Sequence, residues 1–110
     1  MQAWLYLSLA IGLEVCGTLS MRASLGFTVP RWAAAMVIFY LLSFGCMAVA
    51  IKAIPVSTAY AIWSAAGTAI IAAVGIMHFG ESHSPLKIIC LVLIIFGVVG
   101  LKMAESAETP

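Results

Sequence analysis

Four long apolar segments constrain the fold of this chain more than any other feature of its sequence. They cover residues 3–21, 32–51, 56–77 and 86–101, and nearly all charged, proline and turn-forming residues lie between them. A helix needs about 20 apolar residues to cross a hydrocarbon core of about 30 Å, and only helices or closed barrels pair every backbone group inside a bilayer. Barrel strands would alternate polar and apolar residues, which these segments do not. We therefore predict an all-α integral membrane protein with four transmembrane helices.

The composition of the 110 residues fits a lipid environment. Hydrophobic residues make up 65% of the chain and charged residues 8%, whereas soluble domains carry about 25% charged residues. The net charge of +1 excludes the strongly basic surface that nucleic-acid binding requires. The first segment lacks a basic amino-terminal region and contains Glu14, so we interpret it as a mature helix rather than a signal peptide. Three cysteines without metal-ligand spacing are interpreted as packing residues: Cys16, Cys46 and Cys90.

Short connections between the segments predict a single up-down four-helix domain over residues 1–110, because they force neighbouring helices to run antiparallel. Residues 103–110 form a short polar tail that we expect to fray. With four spans, two basic residues lie on the side of the amino terminus and three on the other: Lys52 and Lys102, against Arg22, Arg31 and Lys87. This balance gives little bias toward one orientation. We hypothesise insertion in both orientations, which an antiparallel homodimer requires.

Glu14 is the one acidic residue inside a predicted span. A carboxylate at the centre of a transmembrane helix costs about 2.5–3.5 kcal/mol and usually marks a functional site. Arg22 lies about 12 Å further along the same helix, so no cation is predicted beside the acid. One such carboxylate can hold either a proton or an organic cation, which is sufficient for exchange of the two. The alternative is a protonated glutamate that only packs.

Small and aromatic residues surround this acid in the predicted helices. Ala10, Gly17 and Thr18 share its face of helix 1, where they leave space for a ligand or allow close approach of another helix. On helix 3, Tyr60 and Trp63 share a stripe that continues to Gly67. Aromatic faces attract desolvated organic cations, although an interfacial belt or plain packing also explains such a pair. Helix 2 contributes a further candidate wall: Tyr40, Ser43 and Phe44.

Other patterns concern assembly and chemistry. Helix 3 carries a ladder of small residues and helix 4 carries two glycines, both typical of tight packing in lipid: Ala61, Ala65, Ala69 and Ala73, with Gly97 and Gly100. A site that encloses a cation is therefore expected between two copies. His78, Glu81 and His83 match no metal-ligand spacing, so no metal is expected. No nucleophile with a base and no phosphate-binding loop is present in the sequence, which argues against an enzyme, a cofactor or an ATP-driven pump.

Four stretches form a pattern known from one family. Glu14 is followed by VCGT, the first connection contains Gly26 and Phe27, Ile54 precedes Pro55, and residues 59–63 read AYAIW. Together they resemble the small multidrug resistance family of proton-coupled exporters over essentially the whole chain. The resemblance implies an antiparallel dimer in the bacterial inner membrane that exchanges protons for cationic compounds. It assigns binding and coupling to Glu14, and the residues in or near the pocket are Ala10, Gly17, Thr18, Tyr40, Ser43, Tyr60 and Trp63.

The family has a branch that exports quaternary ammonium and aromatic cations and a branch that exports guanidinium. Gly17 and Thr18 resemble the first branch, and residues 80–82, GES, resemble the second. Two departures concern packing: Cys90 stands at the first position of the helix 4 dimer motif, and Ala65 and Ala66 replace a glycine-rich segment, which weakens the expectation of a kink in helix 3. A non-transporting subunit or a heteromer with a paralogous partner remains an alternative.

Overall fold

The computed structural model describes residues 2–108 of the chain, with side chains through Ala104. This part folds into four helices: α1 (Gln2–Ala23), α2 (Pro30–Ala50), α3 (Val56–His78) and α4 (Pro85–Glu108). All four are long and apolar enough to cross a membrane, α4 over Pro85–Ala104. The prediction of an all-helical fold with four spans is confirmed.

Seven of the eight helix ends lie within two residues of the ends of the predicted apolar segments. Pro30 and Pro85, which lie between the predicted segments, are the first residues of α2 and α4, a position that favours proline because its N–H would have no partner there. The exception is the end of α4, which continues through Glu108. The tail is therefore helical over 103–108 rather than frayed, since its methionine, alanine and glutamate residues are good helix formers outside the lipid as well. Thr109 and Pro110 lie outside the described residues.

The four helices form a flat layer. The principal extents are 49 × 35 × 17 Å, and the smallest of these is less than two helix diameters, each about 10–12 Å. α1 packs most extensively against α2 and also contacts α3, which in turn contacts α4. The small core lies where α1, α2 and α3 meet: Leu7, Ala50, Ile54, Ala59 and Ile62. No residue of the α4 span is buried within the chain.

A tight left-handed turn connects α1 and α2. Leu25, Gly26 and Phe27 have φ of 50°, 70° and 68°, a region that L side chains rarely adopt. The buried hydroxyl of Ser24 donates to the carbonyl of Met21 (2.6 Å) and accepts the N–H of Phe27 (3.1 Å). These two bonds hold the turn in a conformation that places α1 and α2 side by side.

The end of α3 is tied to the rest of the fold by charged side chains. The Arg22 guanidinium lies 4.0 Å from the centroid of the Phe79 ring, which joins the ends of α1 and α3. Glu81 pairs with Lys87 at 3.5 Å and its carboxylate lies directly against Gly75. The third connection is therefore an ordered strap across the end of α3.

Candidate functional site

The Glu14 carboxylate lies against Gly67 of α3. A Cβ at Gly67 would be 3.3 Å from Oε2 and 3.5 Å from Oε1, so the missing side chain provides the space that the acid occupies. Oε2 is buried and has no hydrogen-bond partner in the described part of the chain. No described side chain forms an ion pair with it either. A buried acceptor of this kind is available to a proton or to a cation.

Four aromatic rings, which we term the aromatic row, connect α2 to α3. The centroids of Tyr40 and Phe44 are 6.2 Å apart in a stacked pair, and Phe44 meets Trp63 edge-on at 6.2 Å. Trp63 is 5.6 Å from Tyr60. These distances lie within the range of attractive aromatic pairs. The Trp63 Nε1 atom is buried without a hydrogen-bond partner among the described residues, so its N–H is a second unused polar group in this region.

Tyr40 is held in place by α1. Its hydroxyl and the Thr18 Oγ1 are 2.7 Å apart and share a hydrogen bond. The Tyr40 ring covers Gly17 so closely that a Cβ there would lie 2.6 Å from two ring carbons. Gly17 and Thr18 thus fix the position and the tilt of the ring that begins the aromatic row.

Ser43 bridges α2 to α1 one turn before Glu14. Its hydroxyl donates a 2.6 Å hydrogen bond to the carbonyl oxygen of Ala10, and both residues are fully buried. The bond requires the two backbones to approach closely, which the small side chain of Ala10 permits. Ser43 and Tyr40 therefore attach α2 to α1 on the two sides of Glu14 along the helix.

The structure distinguishes between the two interpretations of the small residues on helix 1. Ala10, Gly17 and Thr18 serve close approach of α2, with Ser43 and Tyr40 as their partners, and do not leave an empty space. The space beside Glu14 comes from α3.

Two residues that the sequence suggested only as the end of a stripe and as part of a candidate wall, Gly67 and Phe44, make direct contacts in this region. Gly67 faces the acid, and Phe44 links the rings of α2 and α3. Both had a signal in the sequence, because Gly67 lies one helical turn after Trp63 and Phe44 one turn after Tyr40. Tyr60 projects from the row and is 61% exposed.

The predicted dimer-packing residues of α4 face open space within the described part of the chain. Gly97 and Gly100 are exposed, and a Cβ at either would meet nothing within 4 Å. Cys16 and Cys90 are also exposed, so their interpretation as packing residues is wrong for contacts within one chain, whereas Cys46 is half-buried. The alanine ladder of α3 likewise borders an open groove of about 350 Å³ next to α4.

The sequence model described as Small Multidrug Resistance protein matches residues 2–94. This chain is a member of the small multidrug resistance family. Three similar proteins of known designation are Multidrug resistance protein EbrB of Bacillus subtilis, Quaternary ammonium compound-resistance protein QacE of Escherichia coli and the Guanidinium exporter of Proteus vulgaris. The chain is 40% identical to the first over 96% of its own length and 91% of the relative. It is 36% identical to the second, over 98% of its own length and 98% of the relative. It is 34% identical to the third, over 94% of its own length and 99% of the relative.

Membership of the small multidrug resistance family agrees with the fold. The four apolar helices make the chain a multi-pass membrane protein of the same kind as its relatives. Both substrate branches are represented among the relatives, at 36% and 34% identity. A difference of this size does not separate the branches.

Proposed function

We propose that this chain exports hydrophobic or quaternary ammonium cations across the bacterial inner membrane in exchange for protons, as an antiparallel dimer in which proton and substrate compete for Glu14. The observation that carries the proposal is the buried, unpaired Oε2 of Glu14 beside Gly67. Burial of an isolated ionised carboxylate is costly in a low-dielectric environment. The Glu14 carboxylate therefore binds either a proton or a cationic substrate, and binding of one excludes the other.

The aromatic row supports a hydrophobic cation as the substrate. Phe44 and Tyr60 are 54% and 61% exposed, so their faces are available to a ligand at the surface of the chain. A ring face contributes about 2 kcal/mol to binding of a desolvated cation, and apolar substituents on the cation add area that the rings can cover. A bare guanidinium ion gains less from such a surface, which favours the quaternary ammonium branch as substrate class.

The flatness of the chain supports a site formed by two copies. A layer 17 Å thick cannot surround a drug-sized cation, and ligand sites usually enclose most of the ligand surface. An inverted second copy would close the open side of the aromatic row and bring a second Glu14. A paralogous chain in the place of the second copy is the alternative.

A guanidinium exporter is the second candidate function. Residues 80–82 resemble that branch, and the relative from Proteus vulgaris is similar over nearly its full length. The two candidates differ in whether the aromatic row contributes to substrate affinity.

Transport measurements in liposomes test the proposal. Purified protein is reconstituted under a pH gradient, and uptake of a quaternary ammonium ion is compared with uptake of guanidinium. We expect gradient-driven uptake of the quaternary ammonium ion, its loss in Glu14→Gln, and its retention in Glu108→Gln, which removes a carboxylate outside the α4 span. Uptake that persists in Glu14→Gln would contradict the proposal. Uptake of guanidinium alone would assign the chain to the other branch.

A further inference from the structure

A second cavity lies between α1, α3 and α4, close to the first residues of α1 and to the last residues of the α4 span. Its volume is about 220 Å³. Apolar side chains form its walls, among them Leu7, Ile11, Ile62 and Val98, and Trp4 and Lys102 stand at one end. We refer to this cavity as the α1/α4 groove.

The end of the groove at Trp4 and Lys102 lies at the level of lipid head groups. Trp4 is two residues after the first residue of α1, and Lys102 is 17 residues after Pro85, the first residue of α4, which corresponds to roughly 25 Å along the helix. Tryptophan and lysine both prefer the membrane interface. The groove therefore extends from the interface toward the hydrocarbon core.

Lys102 is the one charged residue among the described residues that line the groove. Its Nζ atom lies 5.4 Å from the centroid of the Trp4 ring. The structure describes the side chains of two acids, Glu14 and Glu81, and neither forms an ion pair with Lys102. The indole ring holds the amine over the groove, where it attracts an anion and repels the cations that the Glu14 site would take.

We propose that the α1/α4 groove binds an anionic phospholipid, with the lipid phosphate at Lys102 and an acyl chain along the apolar walls. A free phosphate would use only the lysine, and a zwitterionic lipid would gain no net attraction from it. In an anionic lipid the charged head group is attracted to Lys102 at the interface, and the acyl chain covers the apolar walls below it. This binding does not depend on the transport reaction proposed above.

Quenching of Trp4 fluorescence by brominated lipids tests the assignment. A version of the chain with Trp32→Phe and Trp63→Phe retains Trp4 alone, beside the groove. The vesicles contain a small fraction of brominated phosphatidylglycerol or of brominated phosphatidylcholine, and quenching of Trp4 gives the apparent affinity of the chain for each lipid. We expect the affinity for phosphatidylglycerol to be about fivefold higher, the factor expected of one lysine near an anionic surface. Lys102→Gln should remove this preference, and Lys52→Gln, which removes an exposed lysine of the connection between α2 and α3, should retain it.

A second pair of variants tests the apolar part of the groove. Val99 lines the groove and Val37 is exposed on α2 outside it. Val99→Phe should fill the groove and lower quenching by both lipids, whereas Val37→Phe should leave quenching unchanged.

A second measurement uses the chain with all three original tryptophans, so its result does not depend on whether the doubly substituted chain folds. Native mass spectrometry of the original chain should show phosphatidylglycerol retained more than phosphatidylcholine, and this difference should disappear in Lys102→Gln. Equal binding of the two lipids by the original chain would overturn the proposal. Equal loss of preference in Lys52→Gln and Lys102→Gln would also overturn it, since the lysine would then act only as part of the general surface charge. Absence of quenching by either lipid would likewise overturn the proposal, since the groove would then hold no lipid beside Trp4.

Discussion

At the scale of single residues, two missing side chains define the surroundings of Glu14. Gly67 leaves room for the carboxylate, and Gly17 receives the ring of Tyr40. The hydrogen bond between Thr18 and Tyr40 and the one between Ser43 and Ala10 then fix α2 on either side of the acid. The acid itself is left with a buried oxygen that has no partner within the described residues.

Gly17→Ala should destabilise the protein. The new Cβ would lie 2.6 Å from two carbons of the Tyr40 ring, which must move and release its bond to Thr18. We expect a loss of about 1–3 kcal/mol in the free energy of unfolding, as for other overpacked sites, measured by denaturant unfolding in detergent micelles.

Gly12→Ala is the matched control for this substitution. It adds the same methyl group to α1, where nothing lies within 4 Å of the new Cβ. It should be neutral or slightly stabilising because alanine is the better helix former. Equal destabilisation by the two substitutions would contradict the assigned contact between Gly17 and Tyr40.

The sequence was sufficient to predict the acid but not its neighbours. Glu14 is recognisable because a charged residue is costly in any lipid-embedded helix, whatever it contacts. Which residue faces it depends on the rotation and crossing of α1 and α3, and helical spacing within one helix does not determine these. For this reason Gly67 was predicted only as part of a stripe, and Tyr40 as a wall residue without its bond to Thr18.

At the scale of elements, the end of α3 is held by side chains of the connection that follows it. Glu81 donates its backbone N–H to the carbonyl of Gly75 (3.1 Å), and its carboxylate lies on Gly75 while pairing with Lys87. Both side chains of the ion pair are partly exposed to solvent, so the pair contributes little by itself. The close fit of the carboxylate on Gly75 is the more specific constraint.

Gly75→Ala should therefore have an effect whose size depends on Glu81. In the original chain the new methyl group would overlap the Glu81 carboxylate, so that this flexible side chain must turn away and give up its contact with Gly75, which should offset the gain in helix propensity. In a Glu81→Ala background the carboxylate is gone, and the same substitution should be neutral or stabilising through helix propensity. A double-mutant cycle by thermal unfolding measures this coupling. Additive effects of the two substitutions would argue against the contact.

Element boundaries were the most predictable part of the fold because hydrophobicity alone determines where a chain can cross lipid. The same argument failed at the end of α4, where the helix continues to Glu108 beyond its apolar part. Packing was less predictable. The alanine ladder of α3 predicts tight packing without naming its partner, and within the chain it borders an open groove next to α4, because small residues permit close approach but do not specify which helix approaches.

At the scale of the whole molecule, the chain exposes most of its apolar surface. The layer is 17 Å thick, and α4 has no buried residue in its span. Lipid stabilises such a surface as well as protein does, so packing between copies must come from shape and small residues. No residue of the α4 span is buried within the chain, and Gly97 and Gly100 leave open space on it, so we expect α4 to meet the second copy of the proposed dimer.

Gly97→Leu should weaken the proposed dimer. A bulky side chain overpacks a close helix contact, which typically costs about 1–3 kcal/mol, and a loss of about 1.4 kcal/mol corresponds to about tenfold in the dimer dissociation constant. Energy transfer between labelled copies in liposomes measures this constant. Gly45→Leu is the control, since Gly45 on α2 is equally open within the chain. An unchanged constant in Gly97→Leu would exclude this part of α4 from the dimer contact.

The claim that proton and substrate share the Glu14 carboxylates is tested most directly by counting protons released when substrate binds. Purified dimer in weakly buffered detergent solution is mixed with a quaternary ammonium ion near neutral pH, and the pH change is recorded. The account predicts release of protons on binding, about one to two per dimer, and weaker substrate affinity as the pH is lowered. Glu14→Gln should release none. Tight substrate binding by the original protein without proton release, or release that persists in Glu14→Gln, would contradict the account.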